Sequence, residues 1–233
     1  MSISFNHPGV ISGMSERVDG SMIWWNTLPV NEAVRQNRDR YFEKIGVDPA
    51  RVVAGGIIHG TRVVKVGDEH AGQYLLNSDG LITNVADVVL SVTAADCMPV
   101  FFFDPVTKSV GMAHAGWRGL IAGVLENVIR EMGRAYGSRP EDIRVIIGPH
   151  IRACHYKVGE DVAAQFAEEN VDRRDGQLFV RLASEAEMRL RGLGVSEISV
   201  HPACTYKDER YYSARRDKSD PLEGMVAYIG LKV

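Results

Sequence analysis

Apolar positions along this 233-residue chain repeat with two different periods. Near the start, Val34, Tyr41, Phe42 and Ile45 fall on one face of a helix, which Asn31 can cap and which Gly46 and Pro49 end. Strand-like runs follow at Arg51 to Ala54, Arg62 to Val66, Val88 to Val92 and Val100 to Phe103. Asp104-Pro105 is a turn signal before another run, Ser109 to His114, so these last two predict an antiparallel pair. From Trp117 the period becomes helical. Leu120, Ile121, Val124, Leu125, Val128, Ile129 and Met132 share one face, and Gly137 closes what reads as one long helix. Further strands are predicted at Arg144 to Ile147, Leu178 to Leu182, Ile198 to Val200 and Met225 to Ile229. Helices are predicted over Asp161 to Glu169 and after the capping box Ser184 to Glu187, the second ending near Gly192 or Gly194. This order of elements predicts an α+β fold with mixed sheets rather than a regular βαβ repeat.

Length allows one large domain, taken as residues 1–233. The net charge of -3 gives no general attraction to nucleic acid or anionic lipid. No apolar run reaches the roughly 20 residues that span a bilayer, and the first residues lack the pattern of a signal peptide. The three cysteines are odd in number and far apart, which suits a reducing compartment better than a disulfide framework. The expectation is a cytoplasmic protein acting on a small-molecule substrate, without a nucleic-acid or membrane partner.

Three short segments carry candidate chemistry: Gly-Ile-Ile-His59-Gly, Ala-Asp96-Cys97-Met-Pro and His114-Ala-Gly-Trp-Arg118-Gly. Each follows an apolar run, so all three can lie at the ends of buried strands. One thiolate and two imidazoles suit a zinc ion whose fourth position stays open. By itself Cys97 reads either as a ligand or as a packed thiol. His114 leads into a helix whose N-terminus, with Arg118 in its first turn, suits an anion. His59 by itself reads also as a buried histidine in a glycine-rich loop. Spacing alone leaves the convergence open.

Taken together, His59-Gly60, Asp79-Gly80-Leu-Ile-Thr83, Ala95-Asp96-Cys97, His114 to Gly119, Gly148-Pro149-His-Ile with Cys154, and Ser213-Ala-Arg215-Arg216 resemble the purine nucleoside phosphorylase family once labelled polyphenol oxidase or laccase-like. The likeness covers nearly the whole chain, including Gly13 to Arg17 and Asn37-Arg38. It implies a single domain of α/β/β/α layers with one zinc held by His59, Cys97 and His114. It implies phosphorolysis of adenosine, inosine, guanosine and methylthioadenosine, with hydrolytic deamination of adenosine. In that frame Arg118, Arg17 and Arg215 are candidates for phosphate or nucleoside binding and Asp79 for substrate binding, while Asp96 reads as a proton carrier, as orienting a neighbouring imidazole, or as a structural turn acceptor.

Three positions depart from the family pattern. Ile57 stands where a glutamine is usual, two residues before the first histidine. Asp19 stands where a glycine is usual. Cys154-His155 replaces a common cysteine pair; His155 reads either as an extra base or as a surface residue, and Cys204 as a structural thiol.

Other chemistries fit the same residues. A four-copper oxidase needs more histidine ligands than the seven in this chain. A single copper in the same site, with Met98 or Met112 as a weak axial ligand, is the alternative cofactor. Cys97 as nucleophile with His114 as base gives an amidase, for which editing of peptidoglycan precursors (muropeptides) is the corresponding role. A non-catalytic binding protein is the third reading.

Overall fold

The structure, a computed structural model, describes residues 3–24 and 31–232. In chain order it runs through β1 (Val10–Met14), α1 (Glu32–Lys44), β2 (Val52–Gly56), β3 (Val63–Lys65), β4 (Tyr74–Leu76), β5 (Gly80–Thr83) and β6 (Val89–Ala94). The central portion is β7 (Met98–Asp104), β8 (Ser109–Ala115), α2 (Trp117–Ala122), α3 (Val124–Tyr136) and β9 (Arg144–Ile147). Then come β10 (Lys157–Val158), α4 (Glu160–Ala163), β11 (Val171–Arg174), β12 (Gln177–Val180), α5 (Leu182–Gly192), β13 (Glu197–Val200), α6 (Ala214–Asp217) and β14 (Met225–Leu231).

Two mixed sheets stack face to face. One has the order β1-β14-β6-β2-β4, the other β13-β9-β7-β8-β5-β3. Strand β7 shows why they stack. Its side chains alternate, so Phe101 and Phe103 enter the core between the sheets while Val100 and Phe102 enter the core on the other face. The inter-sheet core joins Leu90, Val92, Ala227 and Ile229 of one sheet to Leu81, Val110 and Met112 of the other. Helices α2, α3 and α5 cover the outer face of the second sheet through Leu120, Leu125, Val128 and Leu190. Helix α1 covers the first sheet, packing Tyr41 and Phe42 against Val89, Val226 and Tyr228. The layers are therefore α/β/β/α, in a single mixed domain. A small sheet, β10-β12-β11, lies outside this stack.

The cap and apolar face of α1 are as the pattern predicts: the Asn31 side chain accepts from the Ala33 N–H. Strands β7 and β8 form the predicted antiparallel pair, with Pro99 opposite His114. Other boundaries differ. The long helix from Trp117 breaks at Gly123, whose φ of 96° is left-handed and separates α2 from α3. The helix expected over Asp161 to Glu169 shortens to Glu160–Ala163. Leu182 opens α5 instead of ending a strand, so the Ser184–Glu187 box lies inside the helix. There, buried Glu185 accepts from Asn170 Nδ2 at 2.8 Å and from Arg189 Nε at 2.8 Å. Among the described residues no helix is long and apolar enough to cross a membrane.

Candidate metal centre and pocket

His59 lies on the turn after β2, Cys97 on the connection from β6 to β7, and His114 near the end of β8. Their ligand atoms all lie within 4.8 Å of one another. The two imidazole rings meet edge to face, with centroids 4.9 Å apart. His114 is buried, Cys97 is partly exposed, and His59 is open to solvent. The three segments that converge are the three singled out by residue type.

The residue that organises them is Asp79, just before β5. It has no solvent exposure. Its carboxylate accepts the backbone N–H groups of Ile58, His59 and Gly60 at 3.2, 2.9 and 2.8 Å. This holds His59 at a left-handed φ of 61°. The same carboxylate lies 3.2 Å from His114 Nδ1. A carboxylate only accepts, so Nδ1 carries the hydrogen and Nε2 remains for a metal. Burial alone would raise the Asp79 carboxyl, but His114 and the Gly60 and Ile58 N–H groups outweigh it and hold it below the ordinary value. The structure thus places Asp79, a candidate for substrate binding, behind the ligands with both oxygens occupied.

The ligand charges support each other. Burial pushes the Cys97 thiol up, yet the His114 and His59 imidazoles reverse this and bring it down to about 6. Burial disfavours charge on His114, but the Cys97 thiolate and Asp79 raise it to about 9. The donor set fits zinc: one thiolate, two imidazoles, and a carboxylate that fixes one ring. The space beside the ligands is kept by Gly116. A Cβ there would lie 2.9 Å from His59 Cδ2 and 3.0 Å from Cys97 Sγ.

These candidate ligands sit on a pocket of about 90 Å³, lined by Ile23, Trp24, Ile57, Tyr74 and Leu222 as well as His59, Cys97 and His114. Trp24 and Tyr74 meet edge to face at 5.8 Å. Behind Trp24, the buried Arg38 guanidinium lies 4.5 Å over its ring and donates to Met22 O and Ser91 Oγ. Burial brings Arg38 down to about 10. Ile57, the departure from the family pattern, forms part of the pocket wall.

The remaining candidates are arranged differently. Asp96, 8% exposed, accepts from Thr205 Oγ1 at 2.6 Å, Ser213 Oγ at 3.0 Å and the Arg215 N–H at 2.8 Å. It ties three segments together, and its carboxylate oxygens are engaged in that knot. Arg17 pairs with Asp217 and stacks 4.5 Å over Tyr212. Arg118 is exposed, 4.4 Å over Trp117, and the helix it begins is only six residues long. Arg215 donates to Lys157 O and lies 5.5 Å from the Tyr156 ring centre. Burial and then the Cys97 thiolate push the Tyr156 phenol up to about 12, while Arg215 and Arg118 pull it back. One ring thus senses the thiolate and both arginines. Met98 and Met112, the copper-ligand candidates, are buried in the two opposite cores of their sheet.

Trp24, Tyr74 and Arg38 are pocket or supporting residues that residue type did not single out. Only Asn37-Arg38 left a signal, as part of the family likeness.

The sequence profile of the multi-copper polyphenol oxidoreductase laccase family matches residues 23–232. The chain belongs to that family. It is 31% identical over 216 residues to the purine nucleoside phosphorylase YlmD of Bacillus subtilis, covering 85% of this chain and 77% of the relative. It is 34% identical over 196 residues to the purine nucleoside phosphorylase YfiH of Escherichia coli, covering 80% and 76%. The crystal structure of YlmD from Geobacillus stearothermophilus superimposes with a TM-score of 0.90 at 28% identity, over 99% of this chain and 94% of that one. That of the Bacillus licheniformis hypothetical protein YfiH gives 0.87 at 26% identity, over 98% of each.

Proposed function

We propose that this chain is a zinc-dependent purine nucleoside phosphorylase, with hydrolytic deamination of adenosine as a side activity. The observation that carries the reading is the convergence of His59, Cys97 and His114 on a pocket walled by Trp24, Tyr74 and Ile57. Relatives named purine nucleoside phosphorylase support it. The substrates are adenosine, inosine, guanosine and methylthioadenosine, and the protein works in the cytoplasm.

Zinc held by the three ligands supplies Lewis acidity beside the pocket. The aromatic and apolar wall takes the flat base, which stacks against it and leaves water. Asp79 keeps His114 in the tautomer that binds metal. Arg118 and Arg215, on the Tyr156 side, attract phosphate. Tyr156, its phenol pushed up to about 12, remains a hydrogen-bond donor throughout the neutral range.

Incubating the purified, zinc-loaded protein with adenosine, with and without phosphate, tests this. Phosphate-dependent adenine and phosphate-independent inosine are expected. Neither product from protein that retains its zinc rejects the nucleoside reading.

One observation favours a second reading. A cysteine and a histidine whose side-chain donor atoms lie within 4.8 Å are also the pair of a cysteine hydrolase. In that case Cys97 Sγ attacks the carbonyl carbon of an amide in a peptidoglycan precursor, the C–N bond breaks as His114 gives its proton to the leaving amine, and water then hydrolyses the thioester. Chelation separates the two: a cysteine nucleophile survives it and dies on alkylation, whereas the zinc enzyme loses turnover to the chelator.

A further inference from the structure

Two cysteines and a histidine outside the pocket remain without a role in that chemistry. Cys154 and His155 follow β9, and Cys204 follows β13. The geometry points to a second metal site, a surface zinc site formed by Cys154, His155 and Cys204. The ligand atoms of the three residues lie within 4.8 Å of one another. His155 Nδ1 is 3.0 Å from Cys154 Sγ and 3.7 Å from Cys204 Sγ, so one ring nitrogen faces two thiols. Zinc–sulfur bonds of about 2.3 Å and zinc–nitrogen bonds of about 2.0–2.1 Å place tetrahedral ligands roughly 3.5–3.8 Å apart. The 3.7 Å separation falls in that range and the 3.0 Å one lies below it, on the side of exposed Cys154, which has room to move outward.

The set is held from behind. His155 stacks on Tyr206 with centroids 4.5 Å apart and planes 18° from parallel, which fixes the ring. The Arg152 N–H donates to Cys204 Sγ at 3.4 Å, the kind of outer contact that orients a thiolate ligand. A bridge between His150 and Cys204 and the bond from Thr205 N–H to His150 O fix the two loops against each other. All three cysteines of the chain are free thiols. Cys204 is buried and Cys154 exposed, so the ion enters from solvent and water completes the coordination. A zinc here cross-links the loop after β9 to the loop after β13. Both loops reach Asp96: Ile151 N–H bonds its carbonyl and Thr205 its carboxylate. The site shares no ligand with the pocket and does not depend on the activity proposed above.

Metal counting on the full chain tests it. Wild type, Cys154→Ser and His155→Ala are purified with reductant throughout, loaded with zinc, desalted and measured by mass spectrometry of the metal. Each variant is expected to carry one zinc fewer per chain than wild type, whatever the pocket holds. Affinity for that zinc should fall roughly 100-fold or more, since even outer-sphere changes cost about 10–100-fold. Cobalt titration of wild type should show a thiolate-to-metal absorption that Cys154→Ser reduces. Exposed Cys154 is the informative position, because its replacement leaves the cores intact. Equal zinc in wild type and both variants overturns the assignment. So does a Cys154–Cys204 disulfide that, once reduced, leaves wild type and Cys154→Ser with the same zinc content.

Discussion

Asp79 Oδ1 lies 3.2 Å from His114 Nδ1, and the same carboxylate holds the turn that presents His59. One buried acid therefore sets two of the three ligands. Asp79→Asn should weaken zinc retention about 10–100-fold and destabilise the fold by about 2–4 kcal/mol through lost charge-assisted bonds. Competition with a chelator and urea unfolding read the two effects separately. Unchanged metal affinity would show that Asp79 braces the turn only.

Gly116 predicts a different split. Its φ of -69° suits alanine, so Gly116→Ala should fold normally. Its Cβ would displace His59 or Cys97, and a misplacement of about 1 Å costs roughly 100-fold in turnover. Gly119→Ala is the contrast, because its Cβ would meet the Gly60 carbonyl oxygen at 2.9 Å. Overpacking against backbone should cost about 1–3 kcal/mol. Melting temperature and turnover for both variants give the comparison.

Asp96 stands beside Cys97, but its oxygens accept from Thr205, Ser213 and Arg215. Asp96→Asn should lower stability by about 2–4 kcal/mol while leaving the shape of the pH–rate profile unchanged. A lost limb in that profile would return Asp96 to proton transfer.

In protein stripped of metal, the Cys97–His114 pair should stabilise the fold most between pH 6 and 9. The thiol is lowered to about 6, so its share is lost as pH falls through that value. The imidazole is raised to about 9, so its share is lost as pH rises through that value. The difference in melting temperature between stripped wild type and Cys97→Ala, followed across pH, should be widest in this window. A flat difference would mean that the pair carries no charge.

Tyr156→Phe removes a phenol that senses Cys97 and two arginines. Turnover should fall about 10-fold with zinc content unchanged, and the loss should appear at saturating phosphate. An increase in KM alone would assign the hydroxyl to ground-state binding.

Residue type found the ligands because soft donors at strand ends are chemically distinctive. It could not find Asp79 as their organiser, because the partners of that carboxylate are mostly backbone N–H groups brought close by β5 and β8. The pattern also read through Gly123: Leu120, Ile121, Val124 and Leu125 keep the helical period across the break, and only a backbone angle interrupts it. Strand β1 went unseen because Ser12 and Gly13 interrupt its apolar run. The approach of Cys204 to His155 follows from β13 pairing with β9, which no local spacing encodes.

The three pocket ligands come from both layers of the sandwich. His59 follows a strand of the first sheet, His114 belongs to the second, and Cys97 sits on the chain crossing between them. A metal ion held there would act as a rivet through the two sheets. Slippage of either layer opens it, so free zinc concentration should tune the cohesion of the whole domain. Capture of such an ion would then report completed folding, since no single segment of this chain contains the candidate site.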